Sequence, residues 1–527
     1  MKKVVLFFVM CLSVAGLYAD DDMQVRKLMM AEKIIENFYV DTINSEKLVE
    51  EGIKAMLKTL DPHSLYSDKA ETKELTTPLQ GNFSGIGIQF QMLNDTLYVI
   101  QTIAGGPCEK VGVRAGDKII TAGDSIISGV KRPNSSVMGI LRGPKGTTVD
   151  ISVLRRGERE PIVFRITRDD IPLYSIDATY MVNKTTGYIR ITRFAEETGN
   201  EFRKALLELK KKGMKDLILD LEDNGGGYLG SAVQVASEFL DYGDIVVSTK
   251  DTRNGANTDF PVETKGIFRE GKVVVMVNQY SASASEILSG ALQDHDRGVI
   301  VGRRTFGKGL VQRPFPFPDG SMIRLTVSRY YTPSGRLIQK PYTMGEGDEY
   351  REDMLHRYES GEFSSADSIH FDESLKTSTL KKSRTVYGGG GIMPDCFVPV
   401  DTTSYSTYYR NLVAKGVLNK FAVTYVDENR EALKKRYKDV DGFVSGFVVD
   451  DEFLRSVVEL GQQEGVEYVD EDYVKSRDVI STIVKGLIAR DVYDTSAYFR
   501  IANPLDPIFL KALEIISDGA SYDAILQ

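Results

Sequence analysis

The chain has 527 residues, 42% of them hydrophobic and 27% charged, with a formal net charge of −9. That length exceeds one ordinary domain and predicts three to four folding units with the composition of a soluble globular protein. The acidic balance and the absence of a basic stripe exclude nucleic acid as an expected partner.

Met1-Lys2-Lys3 and the apolar run Val4 to Leu17 read as a leader, with cleavage expected after Ala19 and residues 1–19 forming the signal peptide. The run is shorter than the ~20 residues that span a bilayer. Cys11 falls inside the leader and lacks the small residues expected before a lipoprotein cysteine. Cys108 and Cys396 remain, and nothing in the sequence shows that they meet. Residues 20–80 form an N-terminal helical region. Met29, Met30, Ile34, Ile35 and Phe38, then Leu48, Ile53, Met56, Leu57 and Leu60, recur at helical spacing, and Pro62 ends the second helix.

Residues 81–170 read as a separate, β-rich unit. Gly85-Ile86-Gly87-Ile88 leads into alternating strands at 96–103, a short helix begins at Pro107, and Gly112-Val113-Arg114-Ala115-Gly116-Asp117-Lys118-Ile119-Ile120 follows. A G-x-G turn alone is an ordinary loop, but with this second segment at this distance the unit resembles a PDZ domain. The resemblance implies that backbone N–H groups of Gly85, Ile86, Gly87 and Ile88 receive a peptide's terminal carboxylate while the peptide adds as a strand.

From residue 171 strands alternate with helices, which predicts a layered α/β core. A strand at 187–191, a helix at 196–212 and a buried strand at 217–221 precede Glu222-Asp223-Asn224-Gly225-Gly226-Gly227. Such a glycine triplet permits close backbone approach, as an oxyanion hole or a phosphate loop requires, and no Lys-Ser/Thr follows to favour phosphate. Val273 to Val277 is a continuous β-branched run of a strand buried on both faces. Ser281-Ala282-Ser283-Ala284-Ser285-Glu286 then opens a helix, whose free N–H groups and dipole stabilise developing negative charge. Ser283 to Glu286 also fits a capping box, a purely structural reading. Thr305-Phe306-Gly307-Lys308-Gly309 sets one lysine between glycines, 25 residues beyond Ser283, where a solvated loop lysine is the plain alternative.

Together the S-A-S-A-S-E and F-G-K-G-x-x-Q segments resemble the carboxyl-terminal processing proteases, also called tail-specific proteases. The resemblance runs from about residue 30 to about residue 400. It implies a PDZ-containing serine endopeptidase with Ser283 as nucleophile, Lys308 as general base and Gln312 orienting the lysine amine. It also implies that Ala284 pairs with Gly225 or Gly226 as the oxyanion hole. Arg142, in Leu141-Arg142-Gly143-Pro144, matches an arginine that senses bound peptide, with an exposed turn arginine as the competing reading. The family's D-L-R-x-N-x-G-G departs here, with Glu222 in place of arginine, which puts the local hydrogen bonding in question.

The expected architecture is multidomain α/β: the N-terminal helical region, the PDZ domain, a layered serine protease core over 171–400 and a C-terminal helical extension over 401–527. A polar insertion near 342–384 reads as a surface excursion or partly disordered loop. Partners expected are proteins or peptides with accessible C-terminal tails, an adaptor, and a second copy through the N- or C-terminal helices. The N-terminal region is expected to help shape the substrate tunnel. The location expected is outside the cytoplasm, in the periplasm of a Gram-negative bacterium, with membrane association open. No cofactor is expected and no metal-ligand spacing was found. His63, His295, His356 and His370 read as structural or solvated. The rival functions are a non-catalytic PDZ scaffold with a decayed core and another α/β hydrolase. The second lacks a G-x-S-x-G elbow around Ser283.

Overall fold

The computed structural model describes residues 23–527 except 104, 252, 254 and 371, so the leader and Cys11 lie outside the described residues. The chain divides into two compact units.

The smaller unit comprises residues 23–72, Gln312–Val327 and Tyr342–Asp353. Helices at 23–38 and Ser45–Lys58 precede the short strand Leu65–Ser67, which pairs antiparallel with residues 322–324. The turn after the second helix is tied to that strand by Asp61. Its carboxylate takes the Ser64 hydroxyl at 2.5 Å and the Thr326 hydroxyl at 2.9 Å. His63 Nε2 lies 2.8 Å from the Tyr350 hydroxyl.

The larger unit comprises Lys73–Val311, Ser328–Pro341 and Met354–Gln527. Its first part is a sheet in the order Ile88–Leu93, Thr96–Thr102, Lys118–Ala122, Thr148–Leu154, Ile162–Thr167, with Ser125–Ile126 beside the third strand. Leu97, Val99, Ile119, Ile151, Val153 and Ile166 close its core with Val137 and Leu141 of the helix Asn134–Leu141.

A second six-stranded sheet follows in the order Ile176–Met181, Thr186–Ile191, Asp216–Asp220, Val273–Val277, Val299–Gly302, Cys396–Phe397. The first pair is antiparallel and every later pair parallel. Both faces of such a sheet must be covered, and the two-residue period of the strands divides them. Leu217, Leu219, Val273, Val275 and Val277 pack against the helices Thr198–Lys211, Leu229–Ala236 and Ala284–Asp294. Ile218, Val274, Met276, Val299 and Val301 face the other way, against Ile508, Phe509, Ala512, Ile515 and Ile516 of the helix Pro507–Ser517. The end of the C-terminal extension is therefore a layer of the core. Residues 408–501 form a helical body with its own apolar centre, from Tyr408 and Leu412 to Ile501.

The polar insertion is folded along most of its length rather than loose. It carries the helix Gly347–Glu359 and the strand pair Lys376–Ser378 with Thr385–Tyr387. Cys108 and Cys396 are both free thiols.

Candidate active site

The strand Val273–Val277 is buried throughout and releases the chain into a tight turn before the helix Ala284–Asp294. Ser283 sits at that helix's N-cap with φ +58° and ψ −113°. A non-glycine residue there carries strain of about 1–3 kcal/mol, which persists only where neighbours over-determine the conformation. They do so here. Asn224, across the turn, offers its carbonyl to the Ala282 N–H at 3.0 Å and to the Ser285 hydroxyl at 2.8 Å. The Glu286 carboxylate takes the Ser283 N–H at 2.7 Å, the Glu286 half of the expected capping box.

Glu286 does more than cap. Its Oε2 also accepts the Lys308 N–H at 2.9 Å, and its Oε1 accepts the Thr305 hydroxyl at 2.6 Å and the Gly307 N–H at 2.7 Å. One fully buried carboxylate thus holds the backbones of Ser283 and Lys308 to the same oxygen. Burial pushes its pKa upward and the four donors pull it back. A carboxylate that accepts from every partner is satisfied in its ionised form. On the other side, the Tyr330 hydroxyl lies against the carbonyls of both Ser283 and Lys308. The glycines around the lysine answer close packing. A Cβ on Gly309 would stand 2.8 Å from the Gln339 backbone nitrogen, and Gly307 has φ +88°. Just upstream, Arg357 of the insertion donates to the carbonyls of Arg304 at 2.7 Å and Thr305 at 3.2 Å. Glu362 binds Arg357 at 2.8 Å and the Arg304 fork at 2.6 and 2.9 Å.

The glycine loop packs directly on the serine turn. A Cβ on Gly226 would stand 2.7 Å from the Ala282 carbonyl and 2.8 Å from Ser283 Cβ. Only glycine fits at that approach with φ +100°. The Gly226 N–H is already given to Asn224 Oδ1 at 2.9 Å. The Gly225 and Ala284 N–H groups have no acceptor among the described residues.

The structure therefore brings Ser283, Ala284, Lys308, Gly225 and Gly226 into one locality. Gln312 lies on the strand Leu310–Pro316, its Nε2 buried with no hydrogen-bond partner among the described residues. His295 caps the far end of the serine helix, where its Nε2 meets the Ile245 carbonyl at 2.8 Å. Sequence reading saw Glu286 only as a cap and missed Asn224, Tyr330 and Arg357. The S-x-x-E spacing was the one available signal, because the other contacts join residues far apart in the chain. Among the described residues no cluster suits a metal ion.

Among the described residues the strand Ile88–Leu93 pairs only with Thr96–Thr102, which leaves its other edge unpaired there, beside the helix Asn134–Leu141. Ile86, Gly87, Ile88 and Arg142 line the groove there, about 400 Å³ in volume, with Phe90 and Met138. The Arg142 guanidinium lies 4.5 Å from the centre of the Phe83 ring. Gly85 stands just outside, where a Cβ would meet Phe83 at 3.0 Å. An edge strand beside an apolar groove is the geometry that accepts an added peptide strand.

A layered α/β core with this strained serine turn, joined to a peptide-groove domain, defines a PDZ-bearing serine-type peptidase. Residues 185–345 match peptidase family S41, 84–163 a PDZ domain and 15–72 the N-terminal domain of the activating protease CtpB. Residues 408–494 match a family of unknown function. The chain is 37% identical over 305 residues to a carboxy-terminal-processing protease of Bartonella bacilliformis, covering 57% of this chain and 69% of that protein. It is 36% identical over 325 residues to the carboxy-terminal processing protease CtpB of Bacillus subtilis, covering 61% and 67%. A solved photosystem II D1 C-terminal processing protease is 29% identical, with 58% of this chain and 88% of that one covered and a TM-score of 0.33. The chain belongs to the carboxy-terminal processing protease family.

Proposed function

We propose that the chain is an exported endopeptidase that takes the C-terminal tails of protein substrates in its PDZ groove and cleaves them with Ser283 and Lys308. Neutral Lys308 takes the Ser283 proton as the oxygen attacks the peptide carbonyl. The resulting ammonium then returns a proton to the leaving amine, and water hydrolyses the acyl-enzyme. Gln312 positions the lysine amine. The oxyanion falls to the N–H groups of Ala284 and Gly225, since Gly226 spends its own on Asn224. A lysine can act as base near neutral pH only if its pKa drops from ~10.4 by about three units, worth ~4 kcal/mol. Arg142, beside the groove, links tail binding to the catalytic core.

The observation that carries this reading is the positive φ of Ser283 on the same carboxylate oxygen that binds Lys308. Strain at a serine that needs none for packing marks a site where geometry serves chemistry. The proposed units are the leader 1–19, helices to 80, the PDZ domain 81–170, the core 171–400 and the extension 401–527.

The test compares wild type with Ser283→Ala and Lys308→Ala on an unfolded protein bearing an apolar C-terminal tail, read on gels and by mass spectrometry. Wild type should cleave and both folded variants should be inactive. Cleavage by either variant at the wild-type rate would remove that residue from the mechanism. Export, expected to the periplasm, is checked separately by N-terminal sequencing of the mature protein from fractionated cells, with Asp20 the expected first residue. Self-association is expected through the helix 23–38, whose Met29, Met30, Ile34 and Phe38 are all exposed. Light scattering of the purified protein, with and without Phe38→Glu, reads it. Pull-down of a tail-delivering adaptor completes the partner set.

A further inference from the structure

The lysine stretch between the strands Val299–Gly302 and Leu310–Pro316 has no helix or strand of its own, yet it is buried or half-buried throughout. Such backbone must find partners outside a ladder for each N–H and carbonyl. The N–H groups find them in the core. Thr305 N–H reaches the Ile392 carbonyl at 3.1 Å, Phe306 N–H the Ser281 carbonyl at 3.0 Å and Gly309 N–H the Gln339 Oε1 at 2.8 Å. Glu286 takes those of Gly307 and Lys308. The later carbonyls are served by backbone: Lys340 N–H reaches Gly307 at 2.9 Å and Tyr330 N–H reaches Gly309 at 3.0 Å. The carbonyls of Arg304 and Thr305 receive no backbone donor among the described residues. The Arg357 guanidinium serves both, Nη2 at Arg304 and Nη1 at Thr305.

Arg357 is aimed there by the fold of the insertion. It lies in the last turn of the helix Gly347–Glu359, and Gly361, at φ +80°, turns the chain back. Glu362 N–H then meets the Arg357 carbonyl at 3.1 Å, and the Glu362 carboxylate accepts from Arg357 Nε at 2.8 Å. Both side chains are sunk in protein, with Arg357 3% and Glu362 5% exposed. A structural ion pair is the plain reading of Arg357, and it would need only the charge. The geometry uses more than charge. A planar fork of fixed donors serves a carboxylate and two consecutive carbonyls at once, whereas a lysine ammonium gives its three from a single point.

From Thr305 the contacts run to the site. Its hydroxyl donates to Glu286 Oε1 at 2.6 Å, and the other oxygen of that carboxylate accepts the N–H groups of Ser283 and Lys308. Misplacing a reacting group by about 1 Å can cost on the order of a hundredfold in rate, so the loop that carries the base must be fixed from both sides.

We propose that Arg357 is a positioning residue for peptide-bond cleavage: its fork, holding the Arg304 and Thr305 carbonyls, sets the loop that presents Lys308. The insertion is then part of the catalytic apparatus and not only a surface addition. This rests on Lys308 as the general base.

The experiment compares the full chain with Arg357→Lys and Glu362→Asp, beside Lys308→Ala, on the tail-bearing unfolded substrate and well below the Tm of each. Arg357→Lys keeps a cation beside Glu362 but loses the fork. Glu362→Asp is the milder change: both arginines keep their anion, and the shorter side chain draws Arg357 back from the carbonyls. In the first, kcat should fall about tenfold and in the second severalfold, with KM within about twofold of wild type. Hydrogen exchange over 304–309 should rise severalfold in both, while that at Val273–Val277 stays at the wild-type level. Faster loop exchange with wild-type kcat would overturn the positioning role and leave a structural ion pair. A rise in KM at constant kcat, or a fall in kcat with loop exchange unmoved, would overturn the route through the loop. Equal rises in the loop and in the buried strand would do the same, by showing a general loosening. If wild type cleaves nothing, or Lys308→Ala cleaves as well as wild type, the fault lies in the Ser283–Lys308 reading. The positioning role falls with it, and exchange alone then decides whether the fork holds the loop.

Discussion

At Glu286 one side chain receives two N–H groups on one oxygen and an N–H and a hydroxyl on the other. Glu286→Gln keeps the shape but turns one end into an amide donor facing donors. Each lost charge-assisted bond in a buried site is worth about 1.5–3 kcal/mol. Because the lost contacts hold Ser283 and Lys308 rather than substrate, kcat should drop at least about tenfold with KM nearly unchanged. A rise in KM at constant kcat would show that Glu286 serves binding instead. This residue also shows how far the sequence carries. Ser283, Lys308 and the glycine loop sit at local breaks in a periodic pattern, but only the resemblance of their motifs to the carboxyl-terminal processing proteases implied roles for them. Glu286 stood out only as a cap, since its bonds to 305, 307 and 308 close a loop of about twenty residues that no local pattern records.

Among the elements, the strand–turn–helix units of the core were readable because β-branched runs and helical spacing repeat within a few residues. The insertion was not. Its composition is polar, yet Arg357, Glu362, Tyr350, Phe363 and Ile369 are all buried. Composition misleads where charged side chains are buried in pairs: the Arg304–Glu362–Arg357 triad satisfies groups that would otherwise demand water. The triad has a predictable cost. Glu362→Gln leaves two guanidiniums short of an anion and should destabilise the protein by about 3–5 kcal/mol. The pH sign is fixed as well. The facing arginines hold the Glu362 carboxyl below its ordinary value despite its burial. Its stabilisation is therefore present above the unfolded carboxylate range and lost as pH falls through the folded value. Denaturant melts of wild type and variant should converge toward acid and separate at neutral pH. Curves equally separated at every pH would mean the glutamate's charge is not what the arginines need.

For the whole molecule, the question is what the helical body at 408–501 does for the peptide-groove domain. It touches that domain away from the groove. Lys118 Nζ lies 3.6 Å from Asp427 Oδ2, Arg156 donates to the Asp427 carbonyl at 3.2 Å, and Lys420 reaches Asn94 Oδ1 at 2.7 Å. A Cβ on Gly116 would come within 3.1 Å of Asp427 Oδ1, so the approach uses a glycine. Partly exposed pairs of this kind contribute about 0–1 kcal/mol each and weaken with salt. Such a contact can hold a domain and still release it, which suits the proposed passage of a tail from the groove. Asp427→Lys sets a third positive charge against Lys118 and Arg156 and should free the domain. Hydrogen exchange at Thr96–Thr102 should rise severalfold in the variant. Added salt should raise exchange in wild type toward the same level. The groove itself should keep its affinity for a tail peptide, because none of its lining residues makes these contacts. If exchange stays at the wild-type level, the apolar side chains of Val423, Val426, Tyr98 and Ile100, which line one small cavity between the two parts, hold them together without the charges. The helical body would then be a fixed wall for the domain rather than a releasable brace.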